Sequence, residues 1–185
     1  EIHFADAVNS SYTSDLSGNY QKHNIKTATK ALQVLKGKGF NISEDNITVG
    51  LQNVVKNTGL KGRWQILQIQ PKIICDTAHN REGFVYIIKQ LAEENYKNLH
   101  IVFGVVNDKD LDSILPLLPK NATYYFCKPN VPRGLDAEIL KLKFISNGFK
   151  GRAYNTVTSA LQQAKNCADS EDLIYVGGST FVVAE

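Results

Sequence analysis

From residue 64 to residue 176 the chain alternates short apolar runs with stretches of helical period, and this alternation restricts the fold more than any other feature. Residues 64–69, 72–75, 99–106, 123–127 and 173–176 read as strands, with a weaker one at 152–154. Between them, residues 81–94, 111–117, 136–146 and 157–167 read as helices. Strands separated by helices of this length are βαβ units. The expected fold class is therefore α/β, a Rossmann-like, mainly parallel sheet with helices on both faces. Upstream, Ile25, Ala28, Ala31, Leu32 and Leu35 recur at helical spacing until Gly37 and Gly39 stop the run. Ser43 is placed to cap a second amphipathic segment carrying Ile47, Leu51, Val54 and Val55. Residues 1–20 carry no firm periodic signal. The expected division is a helical part over 1–62 and an α/β domain over 63–185.

Composition narrows the function classes. A formal charge of +3, with lysines scattered rather than massed, argues against a nucleic-acid partner. No apolar run approaches the ~18 residues that span a bilayer, and no signal-peptide layout opens the chain. The three cysteines, Cys75, Cys127 and Cys167, form no CxxC pair and suggest neither a disulfide framework nor a zinc site. Cys75 and Cys127 end apolar runs and read as buried thiols, which points to a cytoplasmic protein. Glu1 stands where a gene product has Met, and the sequence holds no Met at all. The chain is thus expected to be a portion of a longer protein.

Polar residues gather where the predicted strands end, the edge at which α/β sheets bind ligands. The strand at 72–75 runs into Asp76-Thr77-Ala78-His79-Asn80. Asp76 could accept from a ribose hydroxyl or a cation-bound water, and His79 could donate to an anion. Equally, Asp76 or Asn80 could simply cap the helix that follows. The strand near 101–103 ends in Gly104-Val105-Val106-Asn107-Asp108-Lys109-Asp110, which also reads as a solvated turn with an acidic cap. The last strand ends in Gly177-Gly178-Ser179-Thr180, whose backbone N–H groups could hold an anion. Arg63, at the junction of the two parts, is a candidate for a cleft between domains. Neither a GxxxxGK[ST] phosphate loop nor a GxGxxG fingerprint occurs.

Taken in order, these segments are similar to those of the folylpolyglutamate synthase and dihydrofolate synthase family, relatives of the Mur peptide ligases. Leu16-Ser17-Gly18-Asn19-Tyr20-Gln21-Lys22-His23-Asn24 resembles the family's LxGxHQxxN segment, which closes the central ATPase domain. Gly62-Arg63 resembles the Gly-Arg that opens the C-terminal domain, and residues 76–80 resemble DGAHNP. Residues 104–110 resemble a G-x-x-x-DKD turn, and residues 178–185 the closing GSxxxxxE. Tyr20, Thr77 and Arg81 depart from the family's His, Gly and Pro.

The resemblance implies a Mur-ligase C-terminal domain at 63–185, preceded by a helical remnant of the central ATP-binding domain at 1–62. It implies ATP-driven addition of L-glutamate to folate or dihydropteroate through an acyl phosphate. ATP and Mg2+ would be the cofactors, and the metal ligands are expected upstream of Glu1; none is expected here. Asn24, Gln21, Arg63 and Asp76 would contact the nucleotide. His79 and Asp76 would act in catalysis, and His79, Asn80, Ser179 and Lys109 would face the substrate. The enzyme is expected to be a monomer without nucleic-acid or membrane partners, and this chain alone is expected to be inactive. Two other readings stand beside it: a Mur-type ligase of peptidoglycan precursors, and a non-catalytic α/β nucleotide-binding module.

Overall fold

The computed structural model describes residues 2–5 and 11–185, and the chain divides into compact units at 1–64 and 65–185. In the first, strands β1 (Ile2–Ala5) and β2 (Ser11–Ser14) pair antiparallel. Helices α1 (Gln21–Gly37), α2 (Glu44–Gln52) and α3 (Val54–Thr58) follow. The hairpin lies within residues 1–20, where the sequence carries no firm periodic signal. Ser43 caps α2 in a reciprocal box with Asn46. Tyr12, Ile25, Ile47 and Leu51 form a small core, flanked by Leu32 and Ile42. Val34, Leu35, Phe40, Val49 and Val55 remain exposed in the same unit.

The second unit holds β3 (Gln65–Ile69), β4 (Lys72–Cys75), α4 (Arg81–Ala92), β5 (Leu99–Phe103), β6 (Thr123–Cys127) and α5 (Ala137–Ile145). After these come β7 (Lys150–Tyr154), α6 (Val157–Cys167), β8 (Leu173–Gly177) and α7 (Thr180–Val183). The six strands lie in the order β3-β4-β8-β5-β6-β7. All neighbours are parallel except β3, which pairs antiparallel with β4 at one edge. The sheet is mainly parallel, as its short apolar strands require.

Alternation along the strands divides the core. Ile73, Cys75, Val102, Tyr125, Cys127, Ile174 and Val176 face α6, where Val157, Ala160 and Ala164 meet them. On the other face Phe84 of α4 packs on Phe103 at 5.8 Å, and Phe144 of α5 packs on Phe103 and Phe126 at 5.4 and 4.8 Å. Helices therefore cover both faces. The expected helix at 111–117 is instead a 3-10 turn at Leu115–Leu117, because Pro116 and Pro119 break the backbone ladder. The strand expected to reach Val106 stops at Phe103, where Gly104 turns the chain.

Candidate functional site

The carboxyl ends of the adjacent strands β4, β8 and β5 form a polar rim. Asp76 N–H donates to the Val176 carbonyl at 3.1 Å, and Gly104 N–H to the Gly177 carbonyl at 3.4 Å. These bonds bring the residue-76 loop, the double glycine and the residue-104 turn side by side. Glycine is needed here for space. A Cβ on Gly178 (φ +100°) would stand 2.6 Å from the Gly104 carbonyl, and one on Gly104 would stand 2.5 Å from the Cys127 carbonyl.

Asp76 is only 2% exposed, and its Oδ1 accepts from the Ala78 N–H at 2.8 Å. Thr77 is also buried, and its hydroxyl has no hydrogen-bond partner among the described residues. A buried hydroxyl left in this way costs about 1–3 kcal/mol. His79 is exposed, with Nδ1 3.0 Å from the Thr77 carbonyl. The carbonyl can only accept, so Nδ1 carries hydrogen and the neutral ring presents its lone pair at Nε2.

Asn80 is the helix cap: its amide oxygen accepts from the Gly83 N–H at 2.9 Å, at the start of α4. Its side-chain amino group has no hydrogen-bond partner among the described residues. Ser179 is 4% exposed, and its hydroxyl oxygen accepts from the Phe181 N–H at 3.2 Å. Lys109 lies in the turn after β5, which is tied to the residue-133 loop through the Asn107 and Leu135 N–H groups. Asp110 closes that turn by accepting from the Ser113 N–H. Burial and then the charge of Asp76 push the neighbouring Cys75 thiol up to about 11, which makes it inert.

In the first unit, the Asn24 amide donates to Gln21 Oε1 at 2.9 Å, with Gln21 buried and Asn24 exposed. Gly18 packs where a Cβ would meet the Tyr20 ring at 2.9 Å and Trp64 Cβ at 3.1 Å. The segment at 16–24 and the Gly62-Arg63-Trp64 turn are thus brought together. That turn uses two left-handed residues, Gly62 and, unusually for a large side chain, Trp64 (φ 49°). Arg63 between them is half-buried.

The sequence reading missed a groove of about 870 Å³ beyond β6 and β7, lined in part by Lys128, Asn130, Asn155, Thr156 and Glu185. Its one signal was the proline pair Pro129 and Pro132 following a strand. Glu185 Oε1 accepts from the Asn130 N–H at 2.6 Å and so ties the end of the GSxxxxxE segment to this groove. Among the described residues no group of three His, Cys, Asp or Glu is placed to hold a metal. No helix there is long and apolar enough to cross a membrane.

The chain is 33% identical over 171 residues to a probable bifunctional folylpolyglutamate synthase/dihydropteroate synthase of Haloferax volcanii, covering 92% of this chain and 20% of that protein. It resembles the solved structure of E. coli FolC in complex with DHPP and ADP (TM-score 0.72, 30% identity, 86% of this chain and 37% of that one). It also resembles a bifunctional folylpolyglutamate synthase/dihydrofolate synthase solved with Mn, AMPPNP and L-glutamate bound (TM-score 0.71, 30% identity, 86% and 38%). The chain spans well under half the length of these relatives. Residues 62–180 match the family described as Mur ligase, glutamate ligase domain. The chain belongs to that family.

Proposed function

We propose that this chain is the C-terminal part of an ATP-dependent ligase that adds L-glutamate to folate or dihydropteroate. In this reading residues 63–185 are its Mur-type C-terminal domain, and residues 1–62 are the end of its central ATP-binding domain. The observation that carries it is the rim itself: buried Asp76, the unpaired Thr77 hydroxyl and outward-facing His79 lie beside the double-glycine turn. The relatives solved with ADP, AMPPNP and L-glutamate support it.

ATP, when bound, supplies the phosphoryl group that turns a carboxylate into an acylating agent. The residues present fit a nucleotide, since a buried carboxylate and a partnerless buried hydroxyl are hydrogen-bonding groups suited to ribose. Asp76 and Thr77 would face the ribose. Asn24, Gln21 and Arg63 would serve the nucleotide from the first unit, with the guanidinium of Arg63 countering phosphate charge. Mg2+ would be held by residues outside this chain.

Glutamate arrives as an ammonium ion, which is not a nucleophile until it loses a proton. His79 Nε2 is the base in this reading, because the bond from Nδ1 to the Thr77 carbonyl fixes the ring and its tautomer. The free amino group of Asn80, the Ser179 hydroxyl hydrogen and the Lys109 ammonium would orient the carboxylates of glutamate. The protein is proposed to be a cytoplasmic monomer.

The test is ligation by the protein extended upstream to the length of its relatives, given MgATP, L-glutamate and dihydropteroate or tetrahydrofolate. His79→Asn keeps an N–H for the Thr77 carbonyl but removes the base. It is expected to lower kcat by roughly 10²–10⁴-fold while ADP affinity stays unchanged. An undiminished kcat would refute the role of His79. Absence of glutamate-dependent phosphate release by the extended wild type would refute the ligase reading. The 185-residue chain alone is expected to release none.

A further inference from the structure

A second cavity, of about 380 Å³, lies between the C-terminal half of α6 and the edge strand β7, against the start of β5 and β6. His100, Tyr125, Arg152, Tyr154, Gln163 and Cys167 supply its side-chain chemistry. It therefore sits toward the amino ends of the strands, whereas Asp76, Gly104 and Ser179 occupy the carboxyl ends.

Its polar floor is already balanced. His100 Nε2 lies 3.2 Å from Asp172 Oδ2, and His100 Nδ1 lies 2.9 Å from the Tyr125 hydroxyl. The Asp172 carboxylate also takes N–H groups from Asn98 (backbone and side chain) and Asp169. Its negative charge is spent behind the cavity wall. Arg152 carries the only permanent charge on the lining, and it has no ion-pair partner among the described residues. It shares the α6 face of β7 with Tyr154 and pairs in register with Tyr125. The Tyr125 and Tyr154 rings stack at 5.9 Å and 27°, which leaves a flat aromatic wall beside an unneutralised guanidinium. A guanidinium fork recognises a carboxylate, and a phenol face recognises a ring. The volume lies in the range of small-molecule sites.

We propose that this cavity binds a small aromatic carboxylate, with its ring on Tyr154 and its anion on Arg152. Gln163, whose amide nitrogen already donates to Cys167 Sγ at 3.2 Å, would meet a polar ring substituent at the mouth with its amide oxygen. The site does not depend on the ligase reading, because it shares no residue with the rim.

The probe is benzoate, titrated into the 185-residue chain and followed by amide NMR shifts. Expected are saturable shifts at residues 150–154 and 163–167, weakened roughly tenfold by Arg152→Gln, the worth of one charge-assisted contact. Benzyl alcohol, which keeps the ring, and acetate, which keeps the charge, should each bind markedly more weakly. Arg152 is exposed, so its replacement is expected to leave the thermal melt unchanged. Tyr154→Ala should weaken benzoate but not acetate. The proposal is overturned if benzoate does not saturate in the millimolar range. It is equally overturned if Arg152→Gln binds as well as wild type, or if acetate binds as tightly as benzoate.

Discussion

His100 Nε2 and Asp172 Oδ2 stand 3.2 Å apart, with both side chains buried, across 72 residues of sequence. Burial pushes the Asp172 carboxyl up, but the N–H donors of Asp169, His100 and Asn98 outweigh it and hold the carboxyl below its ordinary 3.8. Folding thus favours the ionised form. The contribution to stability is full above the unfolded value and is lost as pH falls through the lower folded one. The urea midpoint of the domain is expected to fall as pH drops below about 4. Asp172→Asn turns an amino group toward those donors, so it should cost at least ~2 kcal/mol at neutral pH and flatten the acid limb. Denaturation across a pH series reads both effects; an acid limb unchanged in the variant would rule the pair out as its source.

The Thr77 hydroxyl offers a test with opposite signs in two assays. Valine has the same shape and needs no partner. Thr77→Val is therefore expected to leave the domain as stable or up to about 1 kcal/mol more stable. In the extended ligase the same change should weaken nucleotide binding several-fold. Equal nucleotide affinity, measured by calorimetry, would show that the hydroxyl meets no nucleotide.

Thiol chemistry should separate the cysteines cleanly. Burial pushes Cys75 up to about 11 and Cys127 up to about 12, whereas Cys167 is exposed. A thiol-specific reagent at pH 8 is expected to label Cys167 alone in the native protein and all three after denaturation. Native labelling of Cys75 would contradict the closed rim beside Asp76.

Two glycine replacements should move stability in opposite directions. Gly178→Ala puts a methyl 2.6 Å from the Gly104 carbonyl on a residue at φ +100°, and should cost at least about 2 kcal/mol. Gly50 lies within α2 with no described residue within 4 Å of an added Cβ, so Gly50→Ala should stabilise the first unit by roughly 0.5–1 kcal/mol. Urea unfolding of each variant checks the pair.

Much of the fold was legible because its signals are local. Helices α1, α4 and α6 announce themselves by period, and α4 and α5 open on the capping side chains of Asn80 and Asp136. Strands β4, β5, β6 and β8 do so by apolar runs, whereas β7, Lys-Gly-Arg-Ala-Tyr, gives only a weak signal. The β1–β2 hairpin was not legible, since β2 reads Ser-Tyr-Thr-Ser, without an apolar run. The rim was half legible. Its motifs are contiguous, but which residue caps and which is left facing a ligand depends on bonds between loops. Asn80 proved to be the cap, while Asp76 and Thr77 are buried. The Tyr125–His100–Asp172 chain of hydrogen bonds and the aromatic cavity join residues far apart in sequence, and no local pattern encodes them.

The strand order carries a consequence for biosynthesis. Strand β8 lies between β4 and β5, yet it is the last strand of the sheet to leave the ribosome. Until it emerges, β4 and β5 each present an unpaired inner flank, and the nascent sheet is two separate pieces with open hydrogen-bonding edges. Closure is a late, long-range event that joins Leu173–Gly177 to partners made far earlier. A stalled chain ending before this strand is the species most prone to associate with its neighbours. The polar rim comes into being only at that final insertion, because it is the Gly177-Gly178-Ser179 turn that closes it.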